Sequence, residues 1–103
     1  MSTHPIPTSF RLRRRKWTIK REPESKRNYA GLCAPTPKHI VLFDKAHDRA
    51  RSALEQQKTF WHESTHAVLT TMGHKLATDE KFVTQFSLLI EELIRTARFE
   101  EQS

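Results

Sequence analysis

Two hydrophobic periods divide the chain. Over residues 10–20 the apolar positions are Phe10, Leu12, Trp17 and Ile19, an incomplete alternation whose phase changes between Leu12 and Trp17. Side chains on a strand point to opposite faces in turn, so this predicts extended backbone with a bulge or turn near Arg14-Arg15. Residues 22–28 are polar and interrupted by Pro23, which predicts a loop. Residues 29–33 predict a short strand, and the prolines on either side favour an edge or irregular position for it. Residues 39–43, with Ile40 and Val41 at their centre, form the clearest strand by β-branched content.

After Asp44 the spacing changes to that of a helix. Ala50, Leu54, Trp61, Thr65, Val68 and Met72 fall on one stripe, which predicts a helix over about 46–72, capped by Asp44 or Asp48 and stopped by Gly73. Residues 53–57 are strong helix formers. After a short link through Gly73-His74-Lys75, Thr78 or Asp79 opens a second helix over about 79–100. Its apolar face is Phe82, Val83, Phe86, Leu89, Ile90, Leu93, Ile94 and Ala97. The expected architecture is α+β: a small N-terminal sheet followed by two packed helices, all within one domain spanning residues 1–103, with a basic strand region over 1–44.

Composition limits what such a chain can be. With 103 residues, 36% of them hydrophobic, there is room for one small core, and a bound metal could add to its stability. Apolar runs such as residues 88–90 are far too short to span a bilayer. Residues 1–7 lack the apolar segment of a signal peptide. The Arg-rich, acid-free first 21 residues share those two traits with mitochondrial transit peptides, but their prolines and alternation do not make an amphipathic helix. The single cysteine, Cys33, allows no internal disulfide and fits a reducing, cytoplasmic setting. Residues 1–40 carry ten Lys/Arg against two Glu (net +8), whereas residues 41–103 carry eight against ten Asp/Glu (net −2). The basic half is either the solvated side of a strand or a weak contact surface for nucleic acid or acidic protein.

The residues that carry chemistry are His62-Glu63-Ser64-Thr65-His66, an H-E-x-x-H run within the first helix. Residues four apart share a helix face, so both imidazoles can grip one metal ion. Glu63 is then placed to act on a metal-bound water as general base. A third protein ligand is needed, and the candidates are His74, Asp79, Glu80, Glu91 and Glu92. Gly is absent at position 69 and His74 lies too far on for the metzincin pattern. Glu91 and Glu92 read as surface charges, and His74 as a helix-end cation. Glu80, in the first turn of the second helix, is the preferred ligand, with Asp79 and His74 as rivals.

The order of a small sheet, the Gly31-x-Cys33 stretch, the strand at residues 38–42 and the run Thr59-Phe60-Trp61-His62-Glu63-Ser64-Thr65-His66-Ala67 resembles the minimal zinc metallopeptidases of bacteria and phages. In the SprT-like family the third ligand is usually a downstream His, which has no counterpart here. The ImmA/IrrE-like peptidases carry E-x-x-A-x-x-F-A-x-x-L. Glu80, Val83, Phe86, Ser87 and Ile90 follow that spacing, with Val and Ser replacing the two Ala. The link before Glu80 is shorter than in that family, so the likeness, over roughly residues 29–98, is to a compact gluzincin-like relative.

The resemblance implies a cytoplasmic metallopeptidase of a bacterial or phage-infected cell. His62, His66 and Glu80 would hold Zn²⁺, Glu63 would be the catalytic base, and a polypeptide would be the substrate. An edge strand at 29–33 or 39–43 would receive an extended substrate. Tyr29, His39 and His74 are candidate oxyanion donors, and Cys33 is either a buried structural thiol or a ligand in a latent form. The competing readings are a noncatalytic zinc-stabilised module and a basic nucleic-acid-binding module with an incidental His pair.

Overall fold

The structure is a computed structural model and describes residues 6–100. The reading of the first residues as free of a signal sequence falls in part on residues 1–5, outside the described residues. The chain is an α+β domain. Five strands come first, β1 (Ser9–Leu12), β2 (Arg15–Glu24), β3 (Gly31–Pro35), β4 (Lys38–Ala46) and β5 (Arg49–Ala50). They are followed by α1 (Ala53–Met72), one 3₁₀ turn (Lys75–Thr78) and α2 (Glu80–Thr96).

The sheet is mixed, in the order β1-β2-β4-β3, with β5 paired to the end of β4. β2 and β4 run parallel, Ile19 opposite Ile40, while the other pairs are antiparallel. Arg13 and Arg14 both adopt positive φ (50° and 69°) in the two-residue turn joining β1 to β2. That turn accounts for the phase change in the sequence, and its two left-handed residues give it the twist that matches the right-handed twist of the strands it joins. The strand expected at 29–33 is found two residues later, as β3, and it is an edge strand.

Three expectations are corrected here. Residues 22–24 belong to β2. Only Glu22 and Glu24 pair with β4, and β1 ends its pairing with β2 at Thr18, so Pro23 needs no ladder donor. The first helix begins at Ala53, not near 46, because residues 46–50 form a second tight hairpin through His47 and Asp48 (φ 53° and 60°). Its cap is Ser52, in a reciprocal capping box with Glu55, not Asp44 or Asp48. The Gly73 stop is found as expected, with φ 67° and the Gly73 and His74 amides donating to Thr70 and Leu69.

The third correction concerns the faces of the helices. The core comprises Trp17, Ile19, Ile40, Leu42, Phe60 and Ala67, between the inner face of the sheet and α1. The buried side of α1 is Gln56, Gln57, Thr59, Phe60, Glu63, Ser64, Thr65 and Ala67, rotated by roughly 100° from the apolar stripe. On α2 only Val83, Ser87 and Glu91 are buried, while Phe86, Leu89, Leu93 and Ile94 are exposed. The two apolar stripes meet instead along an open groove of about 240 Å³ lined by Trp61, Val68, Met72, Phe82, Phe86 and Ile90. Polar contacts fasten the other side of α1. The buried Gln56 amide donates to the Phe43 carbonyl (2.9 Å), tying the helix to the central strand. No helix among the described residues is long and apolar enough to cross a membrane.

This packing separates two leucines of the same type. Leu42→Ala, at a fully buried position, should cost about 2–5 kcal/mol of stability. Leu93→Ala, 60% exposed, should cost less than about 0.5 kcal/mol. Chemical denaturation of the two variants checks both values, and similar losses would show that α2 is buried in a way this packing does not contain.

Candidate metal centre

α1 carries His62 and His66 on the side facing the 3₁₀ turn and the start of α2. The chain reverses at Gly73, makes the 3₁₀ turn, and enters α2 at Glu80 with that carboxylate directed back at both rings. Glu80 Oε2 lies 3.0 Å from His62 Nε2, and Oε1 lies 2.9 Å from His66 Nε2. One ligand atom from each of the three residues falls within 4.8 Å of the other two.

The donor chemistry fits one small divalent cation. Bonds of about 2.1 Å in a tetrahedral arrangement place ligand atoms about 3.4 Å apart. The two His–Glu80 separations are a few tenths of an ångström tighter than that, while the three ligand atoms together lie within 4.8 Å, so an ion would enter by parting the carboxylate from the two rings. The ring of His66 is already oriented: its Nδ1 donates to the Ala77 carbonyl at 2.7 Å, which leaves Nε2 to face Glu80. Burial first, and the neighbouring His66 second, lower the pKa of His62, favouring the neutral ring that a metal requires.

The link between the helices assigns the rival ligands to other work. His74 Nδ1 accepts from the Leu76 amide (3.1 Å) and caps the 3₁₀ turn. Asp79 Oδ1 accepts from the Phe82 amide (3.0 Å) and caps α2. Glu91 is not a surface charge: it is fully buried, and its carboxylate accepts from Arg95 Nε at 2.9 Å. Glu92, one position on, is exposed.

Glu63 stands beside this group in a cleft of about 570 Å³ bounded by β3, α1 and the 3₁₀ turn. It is 8% exposed, and its pKa is raised to about 7, chiefly by burial, with a further rise from the Glu80 charge outweighed in order by the opposing pull of His66. Such a group can change protonation state near neutral pH. Cys33 lines the same cleft without joining the three converging groups. Burial, aided by the charge of Glu63, raises its thiol to about 12, so it is an inert thiol rather than a ready thiolate. Of the candidate oxyanion donors, Tyr29 lines the cleft, His74 is a cap, and His39 is tied to the Pro37 carbonyl.

Two contributors were not assigned a role from the sequence. Ala77 acts through its backbone, which leaves no mark on residue type. Gly31 permits the close approach of β3 to α1: a Cβ there would lie 2.5 Å from Thr59 Cγ2, 2.9 Å from the Val41 carbonyl oxygen and 3.5 Å from Glu63 Cγ. Its signal was its rarity, since the chain holds only two glycines.

Two outcomes follow from this geometry. Gly31→Ala should cost about 1–3 kcal/mol by overpacking, read by thermal denaturation. Thr59 and the β4 backbone at Val41 would have to give way, whereas Glu63 would be met at ordinary contact distance. The raised acid gives a defined pH dependence to the metal-free protein. The folded pKa of Glu63 exceeds its ordinary 4.5, so its stability contribution is full below about pH 4.5 and lost as pH rises through about 7, a change of about 3 kcal/mol. The lowered His62 pKa acts in the opposite sense as pH falls below its ordinary range, so the comparison must be with Glu63→Gln. Between pH 4.5 and 7.5 the metal-free wild type should lose stability relative to that variant; parallel curves would refute the assigned environment.

Comparison with known proteins adds no relative: no family model, no curated protein and no solved structure matches this chain.

Proposed function

We propose that the chain is a zinc-dependent metallopeptidase in which His62, His66 and Glu80 hold Zn²⁺ and Glu63 is the general base. The observation that carries the reading is the convergence of two helical imidazoles and one carboxylate beside a buried acid, in a cleft against an edge strand. Two nitrogens and one oxygen are a donor set suited to zinc with a coordination position left for solvent or substrate. When bound, the ion would supply Lewis acidity, making water acidic enough to ionise near neutrality and polarising the scissile carbonyl.

The remaining steps belong to side chains of this protein. Glu63 takes the proton from the attacking water and delivers it to the departing amine nitrogen, so one carboxylate serves as base and then as acid. His66 keeps Nε2 directed inward through its bond to Ala77. The outer side of β3 offers unpaired backbone groups along the cleft, to which an extended peptide could add as a strand.

Metal analysis and substitution test the proposal together. Wild type should bind one zinc per chain and hydrolyse unstructured polypeptide. Glu63→Gln should retain the metal and lose activity by about 10²–10⁴-fold. Glu80→Ala should leave zinc substoichiometric after gel filtration. Full turnover in Glu63→Gln removes the base, and an unaltered zinc content in Glu80→Ala removes the third ligand. Bound zinc without hydrolysis in wild type would favour a noncatalytic zinc-stabilised module.

A further inference from the structure

The cleft does not end at the metal centre. A second depression of about 310 Å³ adjoins it and shares Tyr29, Gly31, His62 and Glu63; Lys58 is its one fixed cation. A third, of about 320 Å³, adjoins the other end, shares Pro35 and Thr70, and is lined by Arg13, Arg15 and Lys38 without any carboxylate. The three depressions therefore run end to end along β3, with the converging His62, His66 and Glu80 between two cationic ends. Arg13, Arg15, Lys38 and Lys58 form no ion pair with any described residue. Arg21 and Arg49 have acidic partners, whereas Lys16 and Lys20 form no ion pair with a described residue either, so what sets these four cations apart is their place at the two ends of the cleft.

We infer that the substrate is an acidic polypeptide segment, bound extended along β3 with carboxylates on both sides of the bond to be cut. The inference rests on the metallopeptidase reading for the cut itself, and on the arrangement of cations for the choice of substrate. Twelve residues of α1 separate Lys58 from Thr70, a rise of about 18 Å. At about 3.4 Å per residue an extended peptide crosses that distance in about five residues. Two acidic residues about five positions apart would reach Lys58 at one end and the Arg13–Arg15–Lys38 group at the other. Mutually repelling cations around one depression gain most from an anion that enters it, and the low exposure of the cleft floor strengthens the attraction. Nucleic acid is the competing polyanion. Trp17, the aromatic ring in the basic depression, is 1% exposed and leaves no face for a base to stack on.

The test uses the full chain loaded with zinc. Glu63→Gln is titrated, by fluorescence anisotropy, with a labelled peptide bearing two Glu five positions apart, with the same peptide carrying Gln, and with a short DNA duplex. Wild type is given a mixed peptide library, and the products are sequenced. The Glu peptide should bind at least 10-fold more tightly than the Gln peptide, with affinity falling as salt rises. Lys58→Glu and Arg15→Glu, each introduced into Glu63→Gln, should remove most of that difference; Lys58→Gln and Arg15→Gln should remove part of it and guard against misfolding of the reversals. Cleavage sites should be flanked by acids at that spacing. Equal binding of the Glu and Gln peptides, or duplex DNA displacing the peptide through the same cations, would overturn the inference. Hydrolysis without acidic flanks would also overturn it while leaving the peptidase reading intact. Tight, Lys58-dependent binding of the acidic peptide with no hydrolysis by wild type would support the docking and defeat the peptidase reading.

Discussion

The approach of α1 to the edge strand at Gly31 is the constraint on which the rest depends. A helix can turn only one side to a sheet, and here that side must contain both core-forming residues and the acid of the H-E-x-x-H run. Phe60 and Ala67 enter the core, Glu63 lies between them in sequence and beside them in space, and Gly31 supplies the room. Once this side is fixed, His62 and His66 project to one flank of the helix and Trp61, Val68 and Met72 to the other. The candidate metal centre and the open apolar groove are thus two consequences of one rotation.

The helix link completes the arrangement by fixing where Glu80 begins. Gly73 ends α1 in the left-handed conformation, His74 caps the 3₁₀ turn and Asp79 caps α2. His74 and Asp79 each satisfy a backbone amide that would otherwise be left without a partner at a helix end. A carboxylate at position 80 is then in the first turn, free of capping duty and directed at the two imidazoles. Residues of suitable chemistry at 74 and 79 are excluded by what they already bind.

Much of this was legible in the sequence, for physical reasons that differ by element. Strand β4 announced itself through β-branched residues buried on both faces, and Gly73 through the one conformation that glycine favours. His62 and His66 could be singled out because two imidazoles four apart on a helix can grip one ion, Glu63 because it stands beside the first of them, and Glu80 because it lies in the first turn of the next helix. The β4–β5 hairpin was hidden, since His47-Asp48 takes a turn that Asn-Gly would have signalled. The facing of the helices was also hidden. Hydrophobic periodicity assumes that the apolar stripe is buried, whereas α1 buries Gln56 and Thr59, whose hydrogen bonds offset part of their desolvation, and Glu63, whose raised pKa favours its neutral form. The same assumption misplaced Glu91, which is buried where Leu89 and Leu93 are not.

The shallow attachment of α2 gives the proposed metal a structural role as well as a chemical one. Only Val83, Ser87 and Glu91 of that helix are buried, so its apolar contact with the remainder of the fold is small for its length. His62 and His66 belong to α1 and Glu80 to α2. A cation shared among them would cross-link the two helices at the end where the chain leaves the 3₁₀ turn. Ligand binding confined to the folded state shifts the folding equilibrium by its own free energy. The coupling would be strongest for α2, because α1 is already held by the core and by Gln56. Loss of the ion should therefore loosen α2 before it disturbs the sheet, and Glu80 would leave the imidazoles with it. In such a protein the catalytic centre and the attachment of the last helix would be lost in one step.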